Sequence, residues 1–182
     1  DPDGGIWVGT YGGKLAYMTF ADNGVDYFKA TPGGLNHPIV SCFEEDSEGN
    51  LWIGTEGGGI NRWDRRDGRF VYYTQESRCG LTSNMIKKLW HDGNDRLLVS
   101  AFNGGMRVFD ERQGRFSDLH MNHPASGQPL SVYDFAKEGD RGIWLTDPDA
   151  ELMYKDASTG RVETVRLTDA QGNAVRIHIE TL

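Results

Sequence analysis

Cysteine is scarce in this 182-residue chain: Cys42 and Cys79 are the only two. That is too few for a disulfide scaffold, and whether the two pair with each other stays open, since a bridge needs their Cα atoms within ~7 Å. Positive charge is also short. Nineteen Lys plus Arg face 27 Asp plus Glu, a formal charge of −8. Nucleic-acid binders need cations to neutralise phosphates, and an anionic membrane surface repels net acid, so neither partner is expected. No apolar run nears the ~18 residues of a transmembrane helix, so any membrane attachment would come from segments outside this chain. No segment carries the 3.6-residue apolar period of a long helix. The chain opens Asp1-Pro2-Asp3 without Met and reads as a piece of a longer polypeptide, so a missing secretory leader says nothing about compartment.

What is abundant is glycine, 24 residues, and aromatic side chains, 11% of the chain. Disordered chains are poor in aromatics. Glycine and aromatics in short alternating segments point instead to an all-β fold with many tight turns.

An internal repeat decides the architecture. Gly5-Ile6-Trp7-Val8-Gly9-Thr10 returns as Asn50-Leu51-Trp52-Ile53-Gly54-Thr55, then as Arg96-Leu97-Leu98-Val99-Ser100-Ala101, then as Gly142-Ile143-Trp144-Leu145-Thr146-Asp147. Ile6, Leu51, Leu97 and Ile143 thus stand 45, 46 and 46 residues apart. Val40 and Phe43 recur as Ile86 and Leu89, then as Val132 and Phe135, while Gly68-Arg69-Phe70 recurs as Gly114-Arg115-Phe116. Each copy reads as four short strands, exemplified by A at Ile39 to Glu45, B at Leu51 to Thr55, C at Ile60 to Asp64 and D at Phe70 to Thr74, with turn residues between them. Strand B is apolar on successive residues, which requires cover on both faces. A sheet stacked between two similar sheets supplies that cover. Four strands per ~46 residues is the length of a β-propeller blade.

The expected fold is therefore an all-β propeller fragment of four blade-equivalents, each a four-stranded antiparallel sheet. Residues 1–35 supply strands B, C and D of a first blade. Residues 36–81, 82–128 and 129–173 supply three complete blades, and 174–182 the strand A of a further one. That last strand could close a four-bladed ring by pairing beside Ile6 to Thr10. Alternatively the chain is an arc of a larger ring, and its open edges invite association with another copy. The arc is the reading adopted.

Chemistry is hard to find. There is no nucleophile elbow. The glycines after strand B lack the following helix that a phosphate loop requires and read as turn formers. His120 and His123 share a loop at a spacing that means little for a metal on a non-helical segment. Glu44, Glu45 and Asp46 read as a solvated turn entrance, with Glu44 and Glu45 on opposite faces of a strand. The strand-B Trp reads as inter-blade packing. Cys42 occupies a place filled by Lys88 and Asp134 in the next copies, which argues against deep burial. No catalytic residue, metal or cofactor is expected.

Binding is easier to place. In an antiparallel blade the B-to-C turns and the D-to-A linkers open on one face. Candidate ligand contacts there are Tyr11, Glu56, Asn103, Asp147 and Asp149 from B-to-C turns, and His37 and Asn84 from D-to-A linkers. Aromatic faces beside amides and carboxylates suit a sugar, which offers C–H faces and hydroxyls. An oligosaccharide or related solute is the expected ligand, with a carbohydrate-cleaving enzyme and a plain interaction scaffold as alternatives.

The run Gly49-Asn50-Leu51-Trp52-Ile53-Gly54-Thr55, followed by Gly57-Gly58-Gly59-Ile60-Asn61-Arg62-Trp63-Asp64, resembles the two-component regulator propeller repeat, as do Gly5 to Thr10 and the linker Gly80-Leu81-Thr82-Ser83-Asn84. Copy three departs with Leu98 in place of Trp and Ser100-Ala101 in place of Gly-Thr; copy four replaces the Gly-Gly turn with Asp147-Pro148-Asp149-Ala150. The WD40 repeat fits worse, because Trp63-Asp64 occurs once and no Gly-His pair appears. The sialidase Asp-box is only approximated at Asp46 to Trp52. The resemblance implies a periplasmic sensor region of a bacterial hybrid two-component regulator, sensing oligosaccharides ahead of a membrane helix and a histidine kinase. None of those transmitter modules lies in this chain.

Overall fold

The computed structural model describes residues 4–10, 14–19, 24–92, 96–149 and 151–175. Its strands fall where the repeat places them. β1 (Ile6–Thr10), β2 (Lys14–Met18) and β3 (Val25–Phe28) make the first sheet. The second holds β4 (Val40–Glu45), β5 (Leu51–Thr55), β6 (Ile60–Trp63) and β7 (Phe70–Tyr73). The third holds β8 (Ile86–His91), β9 (Arg96–Ala101), β10 (Gly105–Asp110) and β11 (Arg115–Asp118). The fourth holds β12 (Asp134–Glu138), β13 (Gly142–Thr146), β14 (Leu152–Asp156) and β15 (Val162–Thr164). Among the described residues, every pairing between these strands is antiparallel and joins sequence neighbours. The only helix among the described residues is one 3₁₀ turn, Gln75–Ser77, and none is long and apolar enough to cross a membrane. The expected final strand falls outside the described residues from position 176 onward. Just before it, Ala174 pairs with Thr168.

Three hydrophobic clusters show how the sheets stack. Leu51 and Ile53 meet Trp7, Leu15 and Phe28 between the first and second sheets. Trp52 and Ile60 meet Ile86, Leu97 and Val99 between the second and third. Leu98 and Met106 meet Val132, Phe135, Leu145 and Met153 between the third and fourth. Strand B therefore sends alternate side chains to opposite neighbours, and all five residues of β5 are buried. β8 packs against both β4 and β12, and β1 against β4, so the strand-A edges line the inside of the arc. The strand-D residues Val71 and Tyr72 stay exposed on the outside.

Gly54 and Gly59 show why the repeat needs glycine. A Cβ on Gly54 would run into the Cys42 Sγ and the Ile86 side chain. Gly59 has φ +71, and a Cβ there would meet the Tyr73 carbonyl. Cys42 is half-buried at the edge of the core, as its place in the repeat suggests; its Sγ fills the space over Gly54, and desolvation there pushes its thiol up to about 12. Both cysteines are free.

The A-to-B turn also differs from expectation. Asp46 is not a solvated entrance; it is 6% exposed. Its carboxylate accepts hydrogen bonds from the backbone of Glu48 (3.0 Å) and Asn50 (2.8 Å), from the Asn50 amide (3.0 Å) and from Trp52 Nε1 (2.9 Å). Arg62 lies 3.5 Å away. Burial opposes ionisation here, but these donors outweigh it and hold the carboxyl below the ordinary range. Charged acceptors make the stronger hydrogen bonds, so this cluster ties the turn to the Trp52 ring. Glu44 and Glu45 do diverge: Glu44 accepts the His91 N–H (3.0 Å) of the third sheet, and Glu45 pairs with Arg65 (3.3 Å).

Candidate functional site

Strand pairing slips once in β4 and once in β8. Val40 faces Thr55 and Cys42 faces Gly54, which leaves Ser41 as an extra residue; likewise Ile86 faces Ala101 and Lys88 faces Ser100, which leaves Lys87. Such bulges re-aim a side chain and are common beside functional sites. Tyr133 holds the corresponding place just ahead of β12, donating its N–H to the Thr146 carbonyl (2.7 Å). Ser41, Lys87 and Tyr133 therefore form a row across three successive strand-A ends, on the side of the arc where the B-to-C turns open.

Lys87 is the centre of this row. Its Nζ donates to both Glu56 carboxylate oxygens, at 2.8 and 3.0 Å. It also lies 5.6 Å from the centre of the Phe102 ring and 5.4 Å from that of Tyr133, within cation–π range. Glu56 comes from the second sheet, Lys87 and Phe102 from the third, and Tyr133 from the fourth. Tyr133 remains 41% exposed, so a flat apolar surface stands beside a charged hydrogen-bonding pair. The Lys87 and Glu56 side chains are only 14% and 22% exposed, so their mutual contact is shielded on most sides.

A second group lies further along the same face. His123 Nε2 is 2.8 Å from Glu151 Oε2. Asp147 Oδ1 accepts the N–H groups of Asp149 (3.0 Å) and Glu151 (2.9 Å). One donor atom from each of His123, Asp147 and Glu151 lies within 4.8 Å of the others. His123 Nδ1 faces the N–H groups of Ala125 (3.2 Å) and Ser126 (3.4 Å), which keeps the ring proton on Nε2, pointed at Glu151. A cation at Nε2 would have to displace that proton, so the arrangement suits a hydrogen-bonded His–Glu pair better than a metal cage. Asp147 also explains how copy four turns without Gly-Gly. Its carboxylate holds the loop N–H groups where Thr55 Oγ1 holds that of Gly58 (3.0 Å) in copy two.

The residues singled out in the sequence are thus dispersed in role. Glu56 joins the Lys87 group. Asn103, with φ 54, donates its N–H to Ser131 Oγ (3.2 Å) at the edge of that group. Asp147 and Asp149 form the neighbouring turn. His37 and Asn84 buttress: the His37 ring packs against Gly57 and its Cβ against Gly58, while Asn84 accepts the Gln75 N–H (2.7 Å) and donates to Glu76. Tyr11 lies outside the described residues. Lys87 and Tyr133 were missed by the sequence reading, although their column, Ser41-Lys87-Tyr133, varies in chemistry next to the apolar column Val40-Ile86-Val132.

Comparison with known proteins agrees with this architecture. A family model described as two component regulator propeller matches residues 34–57. No curated protein matches the chain. Among solved structures, the extracellular domain of BT3049, described as a hybrid two component system of B. thetaiotaomicron, superposes with TM-score 0.72 at 19% identity, over 87% of this chain and 21% of its own. The extracellular domain of BT4673 from the same organism gives 0.61 at 17% identity, over 96% of this chain and 29% of its own. The RRP9 WD40 repeats give 0.67 at 14% identity, over 90% and 48%. At such identities the likeness is one of fold, and this chain spans less than a third of either bacterial domain. The chain is an all-β propeller fragment of four blade-equivalents, and its residues 34–57 match the two component regulator propeller model.

Proposed function

We propose that this chain is part of the extracytoplasmic sensor region of a two-component signalling protein. Its B-to-C face receives a neutral, polyhydroxylated solute of the oligosaccharide class, and the response is passed to a kinase elsewhere in the whole protein. The observation that carries the reading is the regulator-propeller match at residues 34–57, and the two extracellular domains of like fold support it. The Glu56–Lys87 pair offers hydroxyl-directed donors and acceptors, and Tyr133 offers a ring for a sugar's C–H face. Net neutrality of the pair favours an uncharged solute. Signalling follows only if the solute binds two arrangements of the sensor unequally.

Calorimetry with a panel of oligosaccharides, on the intact sensor region, tests this. Binding is expected for at least one member, weakened at least tenfold by Lys87→Ala and by Tyr133→Ala, without new reducing ends in the mixture. Silence across the panel, or turnover of the sugar, would overturn the reading.

A further inference from the structure

Two columns of the repeat meet on the B-to-C face wherever one sheet follows another. The first holds the residue after strand B: Glu56 in the second sheet and Phe102 in the third, 46 positions on. The second holds the residue set out of step in strand A: Lys87 in the third sheet and Tyr133, at the same place ahead of β12, in the fourth, again 46 positions on. Short contacts hold the columns together. Glu56 forms an isolated backbone bridge to Met85 across the first junction, and Asn103 donates its N–H to Ser131 Oγ (3.2 Å) across the second. One junction therefore presents Glu56 with Lys87, and the other presents Phe102 with Tyr133.

The two junctions differ in chemistry and lie side by side. Glu56 and Lys87 form a hydrogen-bonded ion pair, and Lys87 Nζ stands 5.6 Å from the centre of the Phe102 ring and 5.4 Å from that of Tyr133. The core does not use these rings. Phe102 is half-buried and Tyr133 exposed, and among the described residues neither belongs to the hydrophobic clusters that join the sheets. Aromatic faces left outside the core, beside a few placed polar groups, are the make-up of a small-molecule site. The step from the ion pair to the rings is roughly the length of one sugar unit.

We propose that the two junctions are adjacent subsites for consecutive units of one neutral glycan chain. The Glu56–Lys87 pair hydrogen-bonds the hydroxyls of one unit, and Phe102 and Tyr133 receive the C–H face of the next. Given the sensing role proposed above, on which this rests, the ligand is at least two units long and lies along the arc from the second sheet toward the fourth. Specificity is set by the bulge column, which presents a cation at one junction and a ring at the next from the same backbone position.

Calorimetry on the intact sensor region, with the monosaccharides and matching disaccharides of the glucose, galactose, mannose, xylose and fructose series, tests the proposal. In a series that binds, the disaccharide should bind about tenfold more tightly than the monosaccharide, the scale of one aromatic contact. Phe102→Ala and Tyr133→Ala should each remove that gain and leave the monosaccharide's affinity unchanged, with an unaltered far-ultraviolet spectrum as the check on folding. Tyr133→Phe should keep the gain, and Lys87→Gln should weaken both sugars alike. Equal binding of the two lengths, or a gain that survives loss of the rings, would overturn the two subsites and leave the sensing role standing. Loss of the monosaccharide together with the gain in Tyr133→Ala would also overturn them, since a single merged site would then be at work. Silence in every series would overturn the sensing role itself, and the two subsites with it.

Discussion

The second and third sheets have the same register and nearly the same burial, yet they hold their A-to-B turns in different ways. In the second, Trp52 reaches back six residues to Asp46, and turn, ring and Arg62 form one hydrogen-bonded cluster. In the third, Leu98 stands where Trp52 does and has no polar atom. The equivalent acid, Asp92, accepts the Arg96 N–H (3.2 Å) and stays partly exposed. In both sheets the aspartate donates its N–H to the carbonyl four residues on (3.0 Å) and its carboxylate accepts that residue's N–H, so this local aspartate-to-backbone bonding is what the two share. What the tryptophan adds is a link from that turn to the face of the next sheet. The repeat therefore conserves geometry while varying how firmly each sheet is tied to its neighbour.

Breaking the tie should have the largest effect. Trp52→Ala leaves a cavity between two sheets and is expected to cost about 3–5 kcal/mol, measured by urea unfolding. Leu98→Ala should cost less, about 2–3 kcal/mol, because fewer atoms are removed and no hydrogen bond is lost. An equal loss in the two variants would contradict the comparison.

A smaller effect isolates the charge. Asp46→Asn keeps the shape but turns an acceptor into a donor facing other donors, at about 1–3 kcal/mol near pH 7. Asp92→Asn should cost under about 1 kcal/mol, as its surroundings are wetter. Because the folded state holds the Asp46 carboxyl below its ordinary range, its contribution is complete above the unfolded value of 3.8 and is lost as pH falls through the folded one. The gap between wild type and Asp46→Asn should therefore close in acid below about pH 3.8. Two neighbours run the other way. Burial raises Glu44, and burial together with Asp46 raises Glu111, so the cost of ionising them begins as pH rises past 4.5. A gap that stays constant down to strong acid would show that the Asp46 charge is not what its donors hold.

The smallest effect concerns reactivity. The Cys42 thiol, pushed up to about 12 by burial, should resist alkylation at pH 8 in the folded chain and react once urea is added, as followed by mass spectrometry. Rapid labelling without denaturant would mean that the contact between the second and third sheets opens readily at Gly54.

Much of the fold was legible because it is written several times. The run Leu51 to Thr55 is ambiguous alone, but its return at ~46-residue steps, always between turn residues, leaves a stack of short sheets as the reading that covers both its faces. The tryptophan's packing role was equally readable. Its hydrogen bond was not, because Asp46 sits in a carboxylate run that resembles a solvated turn until the ring of Trp52 is placed over it. Cys42 was readable as lying outside the deep core, since its column holds Lys88 and Asp134 in later copies; that the missing side chain of Gly54 makes room for its sulfur was not. In the candidate site, Glu56 could be read from its turn. Lys87 could not, since a bulge depends on how β8 pairs with β9, and an alternating strand pattern assigns every residue a partner. His123 and Glu151 belong to different copies, so their meeting depends on how the third and fourth sheets are set.

Amide hydrogen exchange read by mass spectrometry bears most directly on the stacked-sheet arrangement. Peptides over β5, β9 and β13 should be the slowest to exchange, and those over β7, β11 and β15 the fastest of the strands, so that protection rises and falls with the ~46-residue step. Protection spread evenly along the chain, or with maxima that ignore that spacing, would contradict the arrangement.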